Sequence, residues 1–172
     1  CQGTGGVKSS ISDRIISTVG SSTTVHTINL YGGAFESGSN YTILPAWNTT
    51  LTVDGATIKA TAGVAIATGA SNSTVIVNIK SGEVVGTSSS LPTIKLNADS
   101  KCNISGGTIK SNSTYAVNLN AGTPNVNVTG GYISGKSGGI YIYSDGTVTL
   151  SGSPVIEGTR AIYISMKGNI EV

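Results

Sequence analysis

Charged residues are scarce in this sequence of 172 residues. Asp, Glu, Lys and Arg together make up 10% of it, whereas about a quarter is typical of soluble domains. The ten basic residues exceed the eight acidic ones by two, and no run concentrates them. Because nucleic-acid binding requires a basic patch or stripe, we expect no nucleic-acid partner. No apolar run reaches the roughly 18 residues of a membrane-spanning helix, so no transmembrane segment is predicted.

Groups that carry chemistry are also few. His26 is the one histidine, and it has no Ser or Cys partner at the spacing of a catalytic triad. The acidic residues do not fall at one shared position of the repeat described below, so they are not expected to line up on one face. No D-x-D or D-x-N pair begins a calcium site, which needs six or more oxygen ligands. We therefore predict a protein that is not an enzyme, with no catalytic residues, no metal site and no cofactor.

Glycine, with 24 residues, is plentiful, and much of it belongs to a repeat. A six-residue pattern that begins and ends on an apolar residue, with Gly at its third or fourth position, recurs at intervals of 22–26 residues, and its last copy, LSGSPV, ends on Val155. A run of alternating apolar and polar residues ends on the first residue of each copy, and a second run follows. Alternation with a period of two places the apolar residues on one face of a β-strand. The copies begin at Leu30, Val53, Ile79, Ile104, Val128 and Leu150.

The length of the repeat indicates the fold class. One repeat cannot bury a core, but repeats stacked about 4.8 Å apart form a continuous one. We predict an all-β, right-handed, three-sided parallel β-helix, a solenoid of about six coils of 22–26 residues, over residues 30–172. An antiparallel sandwich is the alternative, since its strands also come 8–12 residues apart. It does not explain why the same positions repeat along the chain.

Residues 1–29 break this pattern and form a separate N-terminal segment. Within it, SSISDRIISTVG at 9–20 carries Ile11, Ile15, Ile16 and Val19 at helical spacing. Serine at its start can cap a helix, and glycine at its end can stop one. We predict a short capping helix that covers the first coil and hides its unpaired strand edges.

The two cysteines differ in their predicted surroundings. Cys102 stands where the other repeats have aliphatic residues, so we predict a small buried thiol that is not bonded to Cys1. Cys1 is a candidate lipid anchor, because a cysteine at the first position is typical of mature bacterial lipoproteins; an ordinary processing site is the simpler interpretation. The aliphatic residues at the position of Cys102 are Leu51, Val77, Val126, Val148 and Ile170.

One segment carries a family resemblance. VNVTGGYISGKSGGIYIYSDGTVTLSGSPVIEG resembles the GGTISGN, GGVYV and GTFTMSGG repeats of bacterial surface proteins, which belong to the pectate-lyase-like right-handed parallel β-helix superfamily. The resemblance extends over residues 28–172 and is strongest over 101–165. It implies the solenoid fold and an extracellular or cell-surface location. The superfamily includes polysaccharide lyases, phage tailspikes, adhesins and structural stalks, so the resemblance leaves the function open.

Aromatic residues are the candidate ligand-binding residues. Tyr141 and Tyr163 fall at the same position of consecutive repeats and are expected to point outward, and Tyr143 follows on the same face. Such a ladder forms a flat platform on which sugars can stack. Alternatively, it only stabilises neighbouring strands through cross-strand contacts. Trp47 and Tyr41 share a longer loop, where an exposed Trp47 would anchor a ligand and a buried one would close the first coil.

These observations favour a non-enzymatic extracellular structural β-solenoid, a subunit or module of a microbial surface filament, stalk or array that associates end to end. We expect its last strand to be an assembly edge to which another copy adds strands. The alternative is a carbohydrate-binding adhesin module that binds glycans with the tyrosine face or the Trp47 loop. The third candidate is a polysaccharide lyase or hydrolase. A lyase of the superfamily is expected to carry several Asp or Glu calcium ligands and an Arg or Lys base, and a hydrolase requires paired carboxylates. The assembly-edge residues are Asn169, Ile170, Glu171 and Val172.

Overall fold

The computed structural model describes residues 5–9, 14–21, 23–69 and 74–172. In these ranges the chain forms twenty-one β-strands, numbered β1 to β21 in chain order, and no helix. Every third strand lies in the same sheet, and neighbouring strands within each sheet are parallel. The fold is thus a three-sided parallel β-solenoid of seven coils.

Three sheets of seven strands form the sides of the solenoid. The first sheet contains β1 (Gly6–Ser9), β4 (Ala34–Ser37), β7 (Thr57–Ala60), β10 (Glu83–Gly86), β13 (Thr108–Ser111), β16 (Tyr132–Gly135) and β19 (Val155–Glu157). The second sheet contains β2 (Ile16–Ser17), β5 (Tyr41–Leu44), β8 (Val64–Ala67), β11 (Ile94–Leu96), β14 (Tyr115–Leu119), β17 (Gly138–Ile142) and β20 (Arg160–Ile164). The third sheet contains β3 (Val25–Leu30), β6 (Asn48–Val53), β9 (Ile76–Ile79), β12 (Lys101–Ile104), β15 (Asn125–Val128), β18 (Thr147–Leu150) and β21 (Asn169–Glu171).

Equivalent residues of successive repeats lie in register, one coil apart. In the third sheet Val53 is paired with Ile79, so the first residues of the sequence repeat form one column. Cys102 is paired with Val77 on one side and with Val126 on the other, as its position in the repeat predicts. The period that the sequence indicates is therefore confirmed.

The inward side chains of all three sheets form one continuous core. Alternation along each strand directs Val, Ile and Leu inward and polar residues outward, as in β7, β9 and β16, where every second side chain is buried. Burying one such aliphatic side chain stabilises a fold by about 1.5–3 kcal/mol. The largest fully buried side chains are Ile43, Leu51, Ile58, Ile66, Ile79, Ile94, Leu96, Ile104, Ile109, Leu119, Ile133 and Ile140.

Glycine turns the chain where the third sheet passes into the first. Gly82, Gly107 and Gly131 occupy equivalent positions there, with φ angles of 92°, 75° and 86°. Other residues rarely adopt this region. The stacking of coils is a second reason for glycine at these positions, since a Cβ on Gly131 would lie 2.9 Å from the carbonyl oxygen of Gly106 in the preceding coil. The glycines of the repeat therefore serve both the turn and the close approach of coils.

The expectations for the N-terminal segment are corrected. The predicted helix is wrong in the described part of residues 9–20, where β2 pairs with β5 instead; residues 10–13 lie outside the described ranges. Ile15 and Ile16, which suggested the helix, pack against the solenoid core. Because β1, β2 and β3 form a first coil, the solenoid has seven coils and not six. The division of the chain at residue 29 stays a prediction, although strands on both sides of it share the three sheets.

The last coil needs a one-residue correction. Ile156, not Val155, is paired with the buried Ile133. Val155 is paired with Tyr132 on the outer face and is 46% exposed. The turn that leads into β19 is thus one residue longer than its equivalents, which the pattern LSGSPV conceals.

The two end coils leave the core columns partly uncovered. At one end Val7 is 47% exposed, whereas Phe35, its neighbour in the same column, is 3% exposed. At the other end Ile170 is 40% exposed and its neighbour Val148 is 0% exposed. The outer edges of β1–β3 and β19–β21 therefore present apolar side chains together with backbone groups that pair with no further strand of the described residues.

Candidate functional site

A cluster of tyrosines lies on the outer face of the second sheet, near the C-terminal end of the solenoid. Tyr141 in β17 and Tyr163 in β20 are in register on neighbouring strands. Their ring centroids are 5.3 Å apart and their planes differ by 8°. This stacking follows from the parallel ladder, which repeats each outward position about every 4.8 Å.

Tyr115 joins the cluster from the preceding coil, although it does not belong to the same column. The register partner of Tyr141 is Asn118 in β14, whereas the register partner of Tyr115 is Gly138 in β17. The centroid of the Tyr115 ring nevertheless lies 4.5 Å from that of Tyr141 and 6.4 Å from that of Tyr163, and the rings are nearly parallel. We call Tyr115, Tyr141, Tyr143 and Tyr163 the tyrosine cluster; sequence reasoning missed Tyr115 because its position in the repeat differs.

The tyrosine cluster is held by contacts along its rim. The Tyr141 hydroxyl hydrogen-bonds the Ser165 hydroxyl, with 3.0 Å between the oxygens. The guanidinium carbon of Arg160 lies 4.4 Å from the Tyr163 ring centroid, an arrangement worth about 0.5–1 kcal/mol at an exposed site. Tyr143, which is 48% exposed, adds a ring tilted by 52° whose centroid is 5.9 Å from that of Tyr141.

A depression of about 370 Å³ lies beside the tyrosine cluster, at the corner where the first sheet passes into the second. Three successive coils supply its walls. They contribute one tyrosine ring, the hydroxyl groups of two serines and one threonine, and two cationic side chains, but no carboxylate. The lining residues are Ser113, Tyr115, Lys136, Ser137, Thr159 and Arg160.

The two other sequence candidates lie apart from the tyrosine cluster. Tyr41 belongs to the second coil and lines a different depression, of about 460 Å³, together with Arg14, Lys95 and Asn97. Trp47 is half-buried, with a φ angle of 57°, and it does not line either depression. Neither ring contacts a tyrosine of the cluster.

The carboxylates of the described residues are dispersed over the surface. Glu36 lies 3.5 Å from both Lys8 and Lys59, its neighbours on the first sheet. Glu83 lies 3.9 Å from Lys110. Across residues 5–9, 14–21, 23–69 and 74–172, no three His, Cys, Asp or Glu side chains are grouped so that they could hold a metal ion. No helix in these ranges is long and apolar enough to cross a membrane.

Cys102 lies in the fourth coil of the stack and the candidate assembly edge in the seventh. Cys102 is a free, fully buried thiol, and burial raises its pKa from 9.0 to about 12. In the last coil Ile170 is partly exposed and Val172 fully exposed, while a Glu171 carboxylate oxygen accepts a hydrogen bond from Thr149 at 3.2 Å. Cys1, the candidate lipid anchor, lies outside the described residues.

Comparison with known proteins adds no relative. The chain matches no known protein family, no curated protein and no solved structure. The resemblance to bacterial surface repeats therefore stays a prediction, and functional inference depends on the geometry of this chain.

Proposed function

We propose that the chain is a non-enzymatic structural β-solenoid that stacks end to end, as an extracellular subunit or module of a microbial surface filament, stalk or array. The observation that supports this most is the condition of the two end coils. Columns that are wholly buried within the stack end in Val7 and Ile170, which are 47% and 40% exposed. A further coil placed on either end would bury these side chains.

The two ends are complementary in geometry. All strands are parallel and cycle through the same three sheets, so the outer edges of β19, β20 and β21 match those of β1, β2 and β3 of a second copy. Head-to-tail addition would continue each sheet across the junction with the ladder hydrogen bonds found inside the molecule. Exposed strand edges are known sites of such addition.

The family relationship of the chain and the handedness of its coils are also part of this proposal. The repeats favour membership of the bacterial surface proteins of the pectate-lyase-like superfamily. A right-handed coil is expected because nearly all connections between parallel strands of one sheet are right-handed. A sparsely charged surface rich in Ser, Thr and Asn suits a location outside the cell.

Substitution at Ile170 tests the stacking. The backbone N–H of Asn169 donates to the carbonyl oxygen of Gly146 in the preceding coil, with 3.1 Å between the nitrogen and the oxygen. Alternation along a parallel strand therefore directs the N–H of Ile170 toward the open edge. Ile170→Pro removes this donor and leaves the bond of Asn169 intact. Ile170→Val is the matched control, because Val148 and Val126 fill the same column.

Sedimentation velocity over a range of protein concentrations gives the readout. We expect the unsubstituted chain and Ile170→Val to form larger species as the concentration rises, whereas Ile170→Pro stays monomeric with an unchanged circular dichroism spectrum. Monomers in all three proteins at every concentration would contradict end-to-end stacking.

A second candidate function is glycan binding by the tyrosine cluster. Three near-parallel rings and a fourth, tilted ring concentrate on one face, and aromatic side chains with a few convergent polar groups are typical of ligand sites. Tyr143→Ala tests this candidate, since the Tyr143 ring is exposed and is tilted relative to the three stacked rings. Loss of binding on a glycan array would support the candidate, and unchanged binding would exclude Tyr143 from it.

A further inference from the structure

The depression beside the tyrosine cluster has a composition that selects a particular ligand chemistry. We propose that it binds an anionic sugar residue, with a carboxylate or sulfate group held by Lys136 and Arg160 and the sugar ring packed against Tyr115. This inference deepens the glycan-binding candidate and does not depend on end-to-end stacking.

The charge of the depression is unbalanced. Lys136 and Arg160 line it from successive coils, and none of the six lining residues is acidic. The ion pairs among the described residues join Lys8, Lys59 and Lys110 to glutamates and do not include Lys136 or Arg160. Both cations are therefore available to an external anion. Arginine presents a planar fork that suits carboxylate and sulfate oxygens, and lysine adds a point charge.

Arg160 is held in position before any ligand arrives. Its guanidinium lies over the Tyr163 ring, with 4.4 Å between the guanidinium carbon and the ring centroid. Stacking of this kind leaves the N–H groups at the edge of the guanidinium available as donors. A group that is already ordered loses less entropy on binding than a freely rotating one.

The backbone beneath the depression is fixed by contacts between coils. Thr159 donates its hydroxyl to the carbonyl of Lys136 at 2.8 Å, and Ser137 donates its hydroxyl to the carbonyl of Ser113 at 3.2 Å. The backbone N–H of Arg160 also donates to the carbonyl of Ser137, at 3.3 Å. These hydrogen bonds hold the two cationic residues in neighbouring coils, so the spacing between them is set by the stack.

Tyr115 gives the depression an apolar wall. Its ring lies over Gly138, where an added Cβ would be 2.9 Å from ring carbon Cε1. One aromatic wall, hydroxyl groups and a pair of cations suit a ligand that combines a ring, hydroxyls and a negative charge. The volume of about 370 Å³ is at the small end of ligand sites, which favours recognition of a single sugar residue over a long segment of polymer.

Isothermal titration calorimetry with three probes tests the proposal: a heparin oligosaccharide, an oligogalacturonate and a neutral cello-oligosaccharide. The variants are Arg160→Gln and Lys136→Gln, with Lys101→Gln as the matched control. All three residues are exposed, so none of the changes disturbs the core. Lys101 lies in β12 on the third sheet, and its substitution changes the net charge by the same amount at a different face.

We expect at least one anionic probe to bind, and Arg160→Gln and Lys136→Gln each to weaken it about tenfold, while Lys101→Gln leaves the affinity within about twofold. Binding of the heparin oligosaccharide alone would indicate that the site recognises a sulfate group, and binding of oligogalacturonate alone that it recognises a carboxylate. Binding of both would indicate that the site recognises the negative charge that the two groups share. Equal losses in all three variants, equal affinity for the neutral probe, or no binding would each overturn the proposal. Running the titrations on the Ile170→Pro background separates this result from the outcome of the stacking test.

Discussion

Tyr115 occupies the space that a side chain on Gly138 would fill. The two residues are register partners on neighbouring strands, and the Tyr115 ring bends over the glycine toward Tyr141. The tyrosine cluster thus depends on the absence of a side chain one coil away.

Substitution of Gly138 tests this dependence. A Cβ at that position would meet the carbonyl oxygen of Arg160 at 2.3 Å and the Tyr115 ring at 2.9 Å. Because a backbone atom cannot easily move aside, we expect Gly138→Ala to lower the free energy of unfolding by about 1–3 kcal/mol or more. Gly5→Ala is the control, since no atom lies within 4 Å of its added Cβ. Equal urea midpoints for the two variants would contradict the packing described for Gly138.

Native-state thiol labelling checks the burial of Cys102. The side chain is 0% exposed, and only the thiolate reacts readily. In a Cys1→Ser background, which leaves one thiol, iodoacetamide should not label the folded protein at pH 8 and should label it quickly in urea. Labelling of the folded protein at the rate of the unfolded one would mean that the register of the third sheet is wrong.

The raised pKa of Cys102 also predicts a pH dependence of stability. Burial raises the pKa of the Cys102 thiol from 9.0 in the unfolded chain to about 12 in the folded one, so between these pH values the unfolded state has lost the proton and the folded state retains it. The free energy of unfolding should therefore decrease as the pH rises above 9, by about 1.4 kcal/mol per pH unit from this group.

Cys102→Val isolates this contribution from that of other ionising groups. Valine fills the same column at Val77 and Val126, so we expect a change below about 1.5 kcal/mol at pH 7. Above pH 9 the variant should lose stability less steeply than the parent in urea titrations. Identical slopes for the two proteins would show that Cys102 does not ionise on unfolding in this range.

The dispersed carboxylates predict binding without turnover. Retaining and inverting glycosidases need two carboxylates about 5–9.5 Å apart at one site, and calcium-dependent elimination needs several acidic calcium ligands. The residues that line the depression include no carboxylate. Incubation with oligogalacturonate and calcium should therefore yield no new reducing or unsaturated ends. Turnover that disappears on substitution of Glu36 or Glu157 would place a catalytic centre on the first sheet.

The period and register of the solenoid were predictable because in-register positions carry similar residues. The column that contains Cys102 is aliphatic on both sides, which identifies its inward direction without a structure. The first coil was not predictable, because Ile15 and Ile16 have helical spacing and tertiary pairing of β2 with β5 overrides that local pattern. Val155 was misplaced because one extra turn residue shifts the inward position to Ile156.

The candidate site was only partly predictable. Tyr141 and Tyr163 share a repeat position, so their stacking follows from the period. Tyr115 reaches them by leaning over Gly138, which depends on three-dimensional packing and not on repeat position. Lys136 and Arg160 lie at the corner between two sheets, where turn lengths vary, so their convergence on one depression has no signature in the spacing of the sequence.

Electron microscopy of the unsubstituted chain at high concentration tests the central claim, end-to-end stacking, most directly. One molecule of seven coils is roughly 30 Å long. We predict unbranched rods several molecules long and one solenoid wide, which are replaced by single particles in Ile170→Pro and retained in Ile170→Val. Uniform particles of single-molecule length for the unsubstituted chain, at every concentration at which it remains folded, would contradict the structural role proposed for this solenoid.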